Sequence, residues 1–136
     1  MDSRTFTAAF SEFDHMMAFV RESINKMVKV EKSNIKFEVA IEEVLVNIIK
    51  YGVTAPSGII EIRCGLNGSE YFEVKIIDNG IPFDPLNAPG FDKPQNLHSQ
   101  KIGGLGLHFI KNIADSLSYE YKDGKNQLTL KKKLPF

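Results

Sequence analysis

The residues best suited to chemistry in this chain are Glu43 and Asn47, four positions apart in an otherwise apolar run from Phe37 to Gly52. On a helix that spacing stacks both side chains on one face, one turn apart. An acid and an amide in apolar surroundings are costly unless a partner meets them. An Asn oxygen is a hard, neutral ligand that suits magnesium, which takes much of its shell from water and phosphate oxygens. Glu43 is placed to take a proton from an attacking water or hydroxyl, as a general base does in phosphoryl transfer. On this pair alone, a Glu43–Lys50 contact beside a satisfied core Asn is the simpler account.

Two further segments carry chemistry. Asp78 ends an apolar run and Gly80 follows it, so an acid at a buried strand end could take the exocyclic amine of a base where glycine permits close backbone approach. Asn79-Gly80 reads equally as a plain turn. Gly103-Gly104-Leu105-Gly106 stands at a helix start, where exposed N–H groups and the helix dipole can cradle phosphate. It lacks the G-x-G-x-x-G spacing and any Gly-Lys-Ser/Thr, and a structural hinge explains it as well.

The elements that must position these residues follow from periodicity. Thr5–Ala8 is expected as a short edge strand. Ser11 caps a first helix with Asp14 three residues on, and Phe13, Met17, Val20, Ile24 and Met27 form its stripe to about Val30. Ser33 or Asn34 caps the helix of Glu43 and Asn47, which ends at Tyr51-Gly52 with Gly52 in a left-handed conformation. Ile60–Leu66 and Tyr71–Ile77 alternate about Asn67-Gly68, a hairpin signal. Leu86–Ile102 is too long for an ordinary connection and reads as a functional lid or a disordered stretch. A third helix, with Phe109, Ile110, Ile113 and Leu117 inward, leads to strands Leu117–Tyr121 and Gln127–Lys132 joined through Asp123-Gly124. The expected fold is a single α+β domain over 1–136: a two-layer sandwich whose mixed, mainly antiparallel sheet is covered on one face by three helices.

Composition narrows the classes. The chain has 136 residues, 43% hydrophobic, with 17 basic and 17 acidic side chains. That balance argues against a dedicated nucleic-acid binder. Cys64 is the only cysteine, so no internal disulfide forms and a reducing, cytoplasmic setting fits. No apolar run approaches the roughly 20 residues of a membrane span, and Met-Asp-Ser-Arg-Thr is no signal peptide, so no membrane partner is expected.

Taken together and in order, these segments resemble the GHKL ATPase superfamily, whose nucleotide fold is shared by gyrase, MutL, chaperones of the ninety-kilodalton heat-shock class and histidine kinases. Glu43-x-x-x-Asn47 resembles its first box, Asp78-x-Gly80 its second and Gly103–Leu107 its third. The small size, the Asp-Asn-Gly-Ile-Pro-Phe-Asp-Pro continuation and the Gly-Leu-Gly-Leu-x-x-Ile run look most like bacterial anti-sigma factor serine/threonine kinases. The resemblance implies ATP and Mg2+ between the second helix and the lid. Asn47 would ligate magnesium, Glu43 would be the catalytic base and Asp78 would hold adenine beside Gly80. Gly103, Gly104, Leu105, Gly106 and Leu107 would meet the phosphates, and Lys50, Lys101 and Thr129 would add nucleotide contacts. Lys50 stands where such kinases often carry a His, and Val44 and Ile48 where they carry small residues. The implied partners are a STAS-domain anti-anti-sigma protein, a sigma factor and a second copy of the chain.

Two functions compete: an ATP-dependent protein serine/threonine kinase, and an ATP-gated anti-sigma or adaptor module with little catalysis. A detached histidine-kinase catalytic domain is a third.

Overall fold

In a computed structural model, the described residues are 1–28, 35–52, 56–85 and 110–135. Strand β1 (Asp2–Thr7) leads through a short 3-10 turn (Phe10–Glu12) to helix α1 (Phe13–Met27). Helix α2 (Ile35–Asn47) runs into a π-helical turn (Ile48–Gly52). Two hairpins follow, β2 (Ile59–Asn67) with β3 (Tyr71–Asp78), and β4 (Ser116–Lys122) with β5 (Lys125–Lys133). Residues 110–113 are helical. The five strands form one sheet in the order β1-β2-β3-β5-β4. Each neighbouring pair is antiparallel, so the sheet expected as mixed and mainly antiparallel is antiparallel throughout its described extent. The α+β layering is as expected. Among the described residues no helix is long and apolar enough to cross a membrane.

Turn chemistry sets both hairpins. Asp123 and Gly124 have φ of 54° and 74° between paired Lys122 and Lys125. Positive φ at both central residues is what a two-residue turn matching the strand twist requires. Asn67-Gly68 behaves differently. Asn67 still pairs with Tyr71, so the loop has three residues, and Gly68 supplies the positive φ of 67°.

Strand alternation then decides which side chains face the helices. On β3 they are Phe72, Val74, Ile76 and, last, Asp78. On β2 they are Ile60, Ile62 and Cys64, and on β5 Asn126, Leu128 and Leu130. Met16, Met17, Val20 and Ile24 of α1 and Phe37, Ala40, Ile41, Val44 and Leu45 of α2 cover that face. The Phe37 and Phe72 rings meet edge to face, centroids 6.5 Å apart.

Several boundaries differ from the sequence reading. Ser11 does not cap α1: it lies inside the 3-10 turn, Glu12 occupies the cap position, and no side chain bonds there. The 3-10 turn itself takes up a leading donor, Glu12 N–H to Ala9 O at 2.9 Å, so no hydroxyl is needed. The helix ends at Met27 because Val28 turns extended and buries its branched side chain. Leu117 belongs to β4, opposite Leu130, and not to a helix. Helical bonding stops with Ala114 N–H to Ile110 O. Asp115 then joins β5 through its N–H to Lys131 O and its carboxylate from Lys133 N–H. The Ser33 or Asn34 cap, most of the expected lid and Gly103–Leu107 lie outside the described residues.

Phe72 is fully buried at the sheet–helix junction. Phe72→Ala is expected to lower the unfolding free energy by about 3–5 kcal/mol, read from urea denaturation with an unchanged m-value.

Candidate functional site

The helix-facing row of β3 ends in an acid. Asp78 is only 5% exposed, flanked across the ladder by Ile60 and Asn126. Its Oδ1 accepts from the Gly80 N–H at 2.8 Å and from Asn126 Nδ2 at 3.1 Å. Burial pushes its pKa above the ordinary carboxylate range, and the two hydrogen bonds only partly oppose it.

Gly80 is required by packing against the end of the π-helical turn. A Cβ there would lie 2.2 Å from the Gly52 carbonyl oxygen. That carbonyl accepts the Ile81 N–H at 3.0 Å, so the Asp78–Gly80 turn is stitched to the π-helical turn. The glycine's close backbone approach is therefore to Gly52. Gly52 itself is not left-handed: its φ is not positive, because the helix widens into a π turn after Asn47. Asn79 secures the other side, with Oδ1 accepting from Ile59 N–H and Nδ2 donating to Ser57 O.

Asn126 is the residue the sequence reading missed. It is 6% exposed and donates through Nδ2 to Asp78 and to Ile81 O at 2.8 Å. Its Oδ1 accepts from Phe83 N–H at 3.0 Å and from the Tyr119 hydroxyl. The signal was available: Asn126, Leu128 and Leu130 share one strand parity after the Asp123-Gly124 turn, so a polar residue there had to be inside.

These groups surround a cavity of about 250 Å³. Val44, Ile48, Ile76 and Leu128 supply apolar wall, and Asn47, Asp78 and Asn126 supply polar atoms. Tyr51, Ile81 and Phe83, all exposed, stand on its lining as well. Both amide atoms of Asn47 are buried without a hydrogen-bond partner among the described residues. Burying such an amide with no partner costs about 1–3 kcal/mol on protein mutational scales.

The chain from 6 to 132 matches the family described as histidine kinase-like ATPase domain. The protein belongs to that family. Two curated relatives are the Serine/threonine-protein kinase BtrW of Bordetella bronchiseptica and the Serine-protein kinase RsbW of Listeria monocytogenes. They are 32% and 27% identical over 65% and 64% of this chain. The matches span 63% and 58% of those relatives' own lengths, less than two thirds. Among solved structures, the histidine kinase domain of the blue-light activated kinase EL346 of Erythrobacter litoralis is similar at a TM-score of 0.53. It is 16% identical, over 73% of this chain and 43% of that one. The Acinetobacter baumannii histidine kinase AdeS is similar at 0.54, with 13% identity, over 100% of this chain and 69% of that one. At those identities the likeness shows the shared fold.

A histidine kinase-like ATPase domain uses ATP, and the cavity fits a nucleotide base: apolar walls with one buried carboxylate at the end. Asn47 also fits magnesium, since its buried, neutral oxygen is a hard donor with no competing partner among the described residues. Among those residues no group of three His, Cys, Asp or Glu side chains gathers as a cation cage. Magnesium held by one protein oxygen would draw on phosphate and water for the rest.

The other expected site residues divide. Glu43 is half-buried on α2, one turn before Asn47, and is not on the cavity lining. Lys50 is exposed on the π-helical turn. Thr129 is a correction: it pairs with Lys75 and Ser118, which puts it on the sheet face away from the helices. The period of two moves a residue one position from Leu128 to the opposite face. Lys101, Gly103, Gly104, Leu105, Gly106 and Leu107 lie outside the described residues.

Gly80→Ala is expected to destabilise the protein by about 1–3 kcal/mol, seen as a lower urea midpoint, because the new Cβ must push Gly52 aside. Asp78 gives a pH-dependent prediction. With its folded pKa raised above the unfolded value, the fold binds the proton more tightly. Stability is then lost as pH rises from the unfolded to the folded pKa and stays reduced above it. Asp78→Asn should therefore raise the melting temperature at neutral pH, with the gain shrinking as pH falls through that window. Melting curves of both proteins across pH check this.

Proposed function

We propose that the protein is an ATP-dependent serine/threonine-protein kinase of the anti-sigma factor type, acting on a STAS-domain anti-anti-sigma partner and sequestering a sigma factor. The observation that carries the reading is the buried Asn47 amide, unpaired among the described residues, facing one cavity with Asp78, with Glu43 a helical turn before it. The names of the two curated relatives support protein serine kinase activity.

In this reading Asp78 accepts the exocyclic amine of adenine, with Gly80 shaping the turn beside it. Asn47 holds magnesium, which supplies charge neutralisation on the phosphates when bound. The Gly103–Gly106 stretch meets the phosphates. Glu43 takes the proton of the partner's serine or threonine hydroxyl as its oxygen bonds to the terminal phosphorus. The bridging bond breaks, and ADP leaves with that electron pair. A homodimer working in the cytoplasm completes the proposal.

One observation favours a second reading, an ATP-gated binding module with little catalysis: Glu43 does not line the cavity that Asn47 and Asp78 share. The two readings separate on one variant. Glu43→Gln is expected to abolish phosphate transfer to a STAS partner from the same genome, by at least about a hundredfold as for loss of a general base. Binding of a fluorescent ATP analogue with magnesium should stay within a few-fold. Absence of phosphoserine or phosphothreonine from the wild-type reaction, with ATP binding intact, would reject the kinase and leave the module.

A further inference from the structure

The Asn126 amide is fixed in one orientation. Its Oδ1 receives two donors, the Tyr119 hydroxyl from β4 and the Phe83 N–H. Its Nδ2 faces three acceptors, the Ile81 and Gly80 carbonyls and the Asp78 carboxylate. Turning the amide over would set its NH2 against the Phe83 N–H, and its oxygen against two carbonyls and a carboxylate. The network closes off the flip.

Asp78 therefore receives an interior donor on Oδ1 beside the Gly80 N–H, and both bonds favour the ionised acid. Among the described residues, the other titratable groups around it are Tyr119, Tyr51 on the π-helical turn and Asp84 beyond β3. Burial, with the Asp84 and Asp78 charges, raises the Tyr119 pKa, so at neutral pH its hydroxyl is a donor. Asp84 is a like charge. None of these side chains brings a positive charge, and the Gly80 N–H is backbone. Among the described residues, the side chain that favours the ionised form of the buried acid is Asn126.

We propose that Asn126, locked by Tyr119 and the Phe83 N–H, is the positioning residue that keeps Asp78 an acceptor toward the nucleotide base. The site thereby selects a 6-amino purine over a 6-keto purine. An ionised carboxylate accepts only, so adenine offers it an N–H while hypoxanthine brings a carbonyl oxygen against it. The proposal rests on the nucleotide reading of the cavity and deepens it.

The test compares ATP and ITP as displacers of a fluorescent ATP analogue, with magnesium, from acid to mildly alkaline pH. Asn126→Asp keeps the size and the acceptor for Tyr119 and Phe83, and replaces the donor facing Asp78 with an oxygen. At neutral pH the variant should lose at least about tenfold in ATP affinity, with ITP changed by less than about threefold. The acid limb of ATP binding should move up by about one pH unit, the equivalent of that tenfold. Equal losses for both nucleotides with the acid limb unmoved would mark a merely structural residue and overturn the proposal. Should Asn126→Asp not fold, Tyr119→Phe removes one of the two locking donors. It should cut the ATP preference by about threefold, a fraction of the effect of a hydrogen bond to a charged network, and an unchanged preference with an unchanged acid limb overturns the proposal. A folded wild-type protein that binds neither nucleotide would reject the nucleotide reading and the proposal together. Retained wild-type ATP binding with unaltered selectivity in the variants rejects the proposal alone.

Discussion

A carboxylate buried at the end of a central strand is the constraint around which the rest of this molecule is arranged. Asp78 lies in the row that begins with Phe72, Val74 and Ile76, and its neighbours across the ladder are an Ile and an Asn. An acid in such a row weakens the fold unless its charge is met. It is met in part, by neutral donors alone among the described contacts, a backbone N–H and an amide. A salt-bridged Asp would be stabilised and closed, whereas one held by two dipoles is fixed in place and still able to accept.

Holding it brings three chain segments together. The Gly80 turn folds onto Gly52 at the end of the π-helical turn that continues α2, so the position of the acid is tied to the helix that carries Glu43 and Asn47. Asn126 ties the same turn, and Phe83 beyond it, to β5. The cavity between α2 and the sheet is the space this joint leaves. The π-helical turn belongs to the same arrangement: widening the helix after Asn47 carries Gly52 O to the Ile81 N–H. Such turns often mark functional positions, because they trade regular hydrogen bonding for a repositioned backbone.

Topology explains why β5 can do this. The chain leaves the sheet after β3 and returns at the outer edge as β4, then turns back through Asp123-Gly124 to pair β5 with β3. A strand near the C-terminus thus becomes the neighbour of the strand that ends in Asp78. Tyr119, on the edge strand, reaches over to Asn126 from the far side. Neutral donors on two late strands therefore govern an acid placed by an earlier one.

Periodicity and turn residues in the sequence were enough for the two-layer α+β plan, the apolar faces of α1 and α2, both hairpins and the placing of Glu43 with Asn47 on one helix. They are local properties, set by spacings of two and of three to four residues. The register of β5 against β3 is a different kind of fact. It pairs residues at least 48 positions apart, and only that pairing puts Asn126 on Asp78 and turns Thr129 outward. The same holds for Gly80 against Gly52, whose contact depends on where a helix ends relative to a strand. Ser11 and Gly52 each have the right residue type for a cap, yet the backbone takes another course at both ends, a 3-10 turn that pairs the Glu12 N–H and a π turn whose Gly52 carbonyl accepts from Ile81. What the chain alone determined was which side chains would be inside. Which of them touch was decided by long-range packing, because non-local contacts compete across the whole fold and leave no fixed spacing in the sequence.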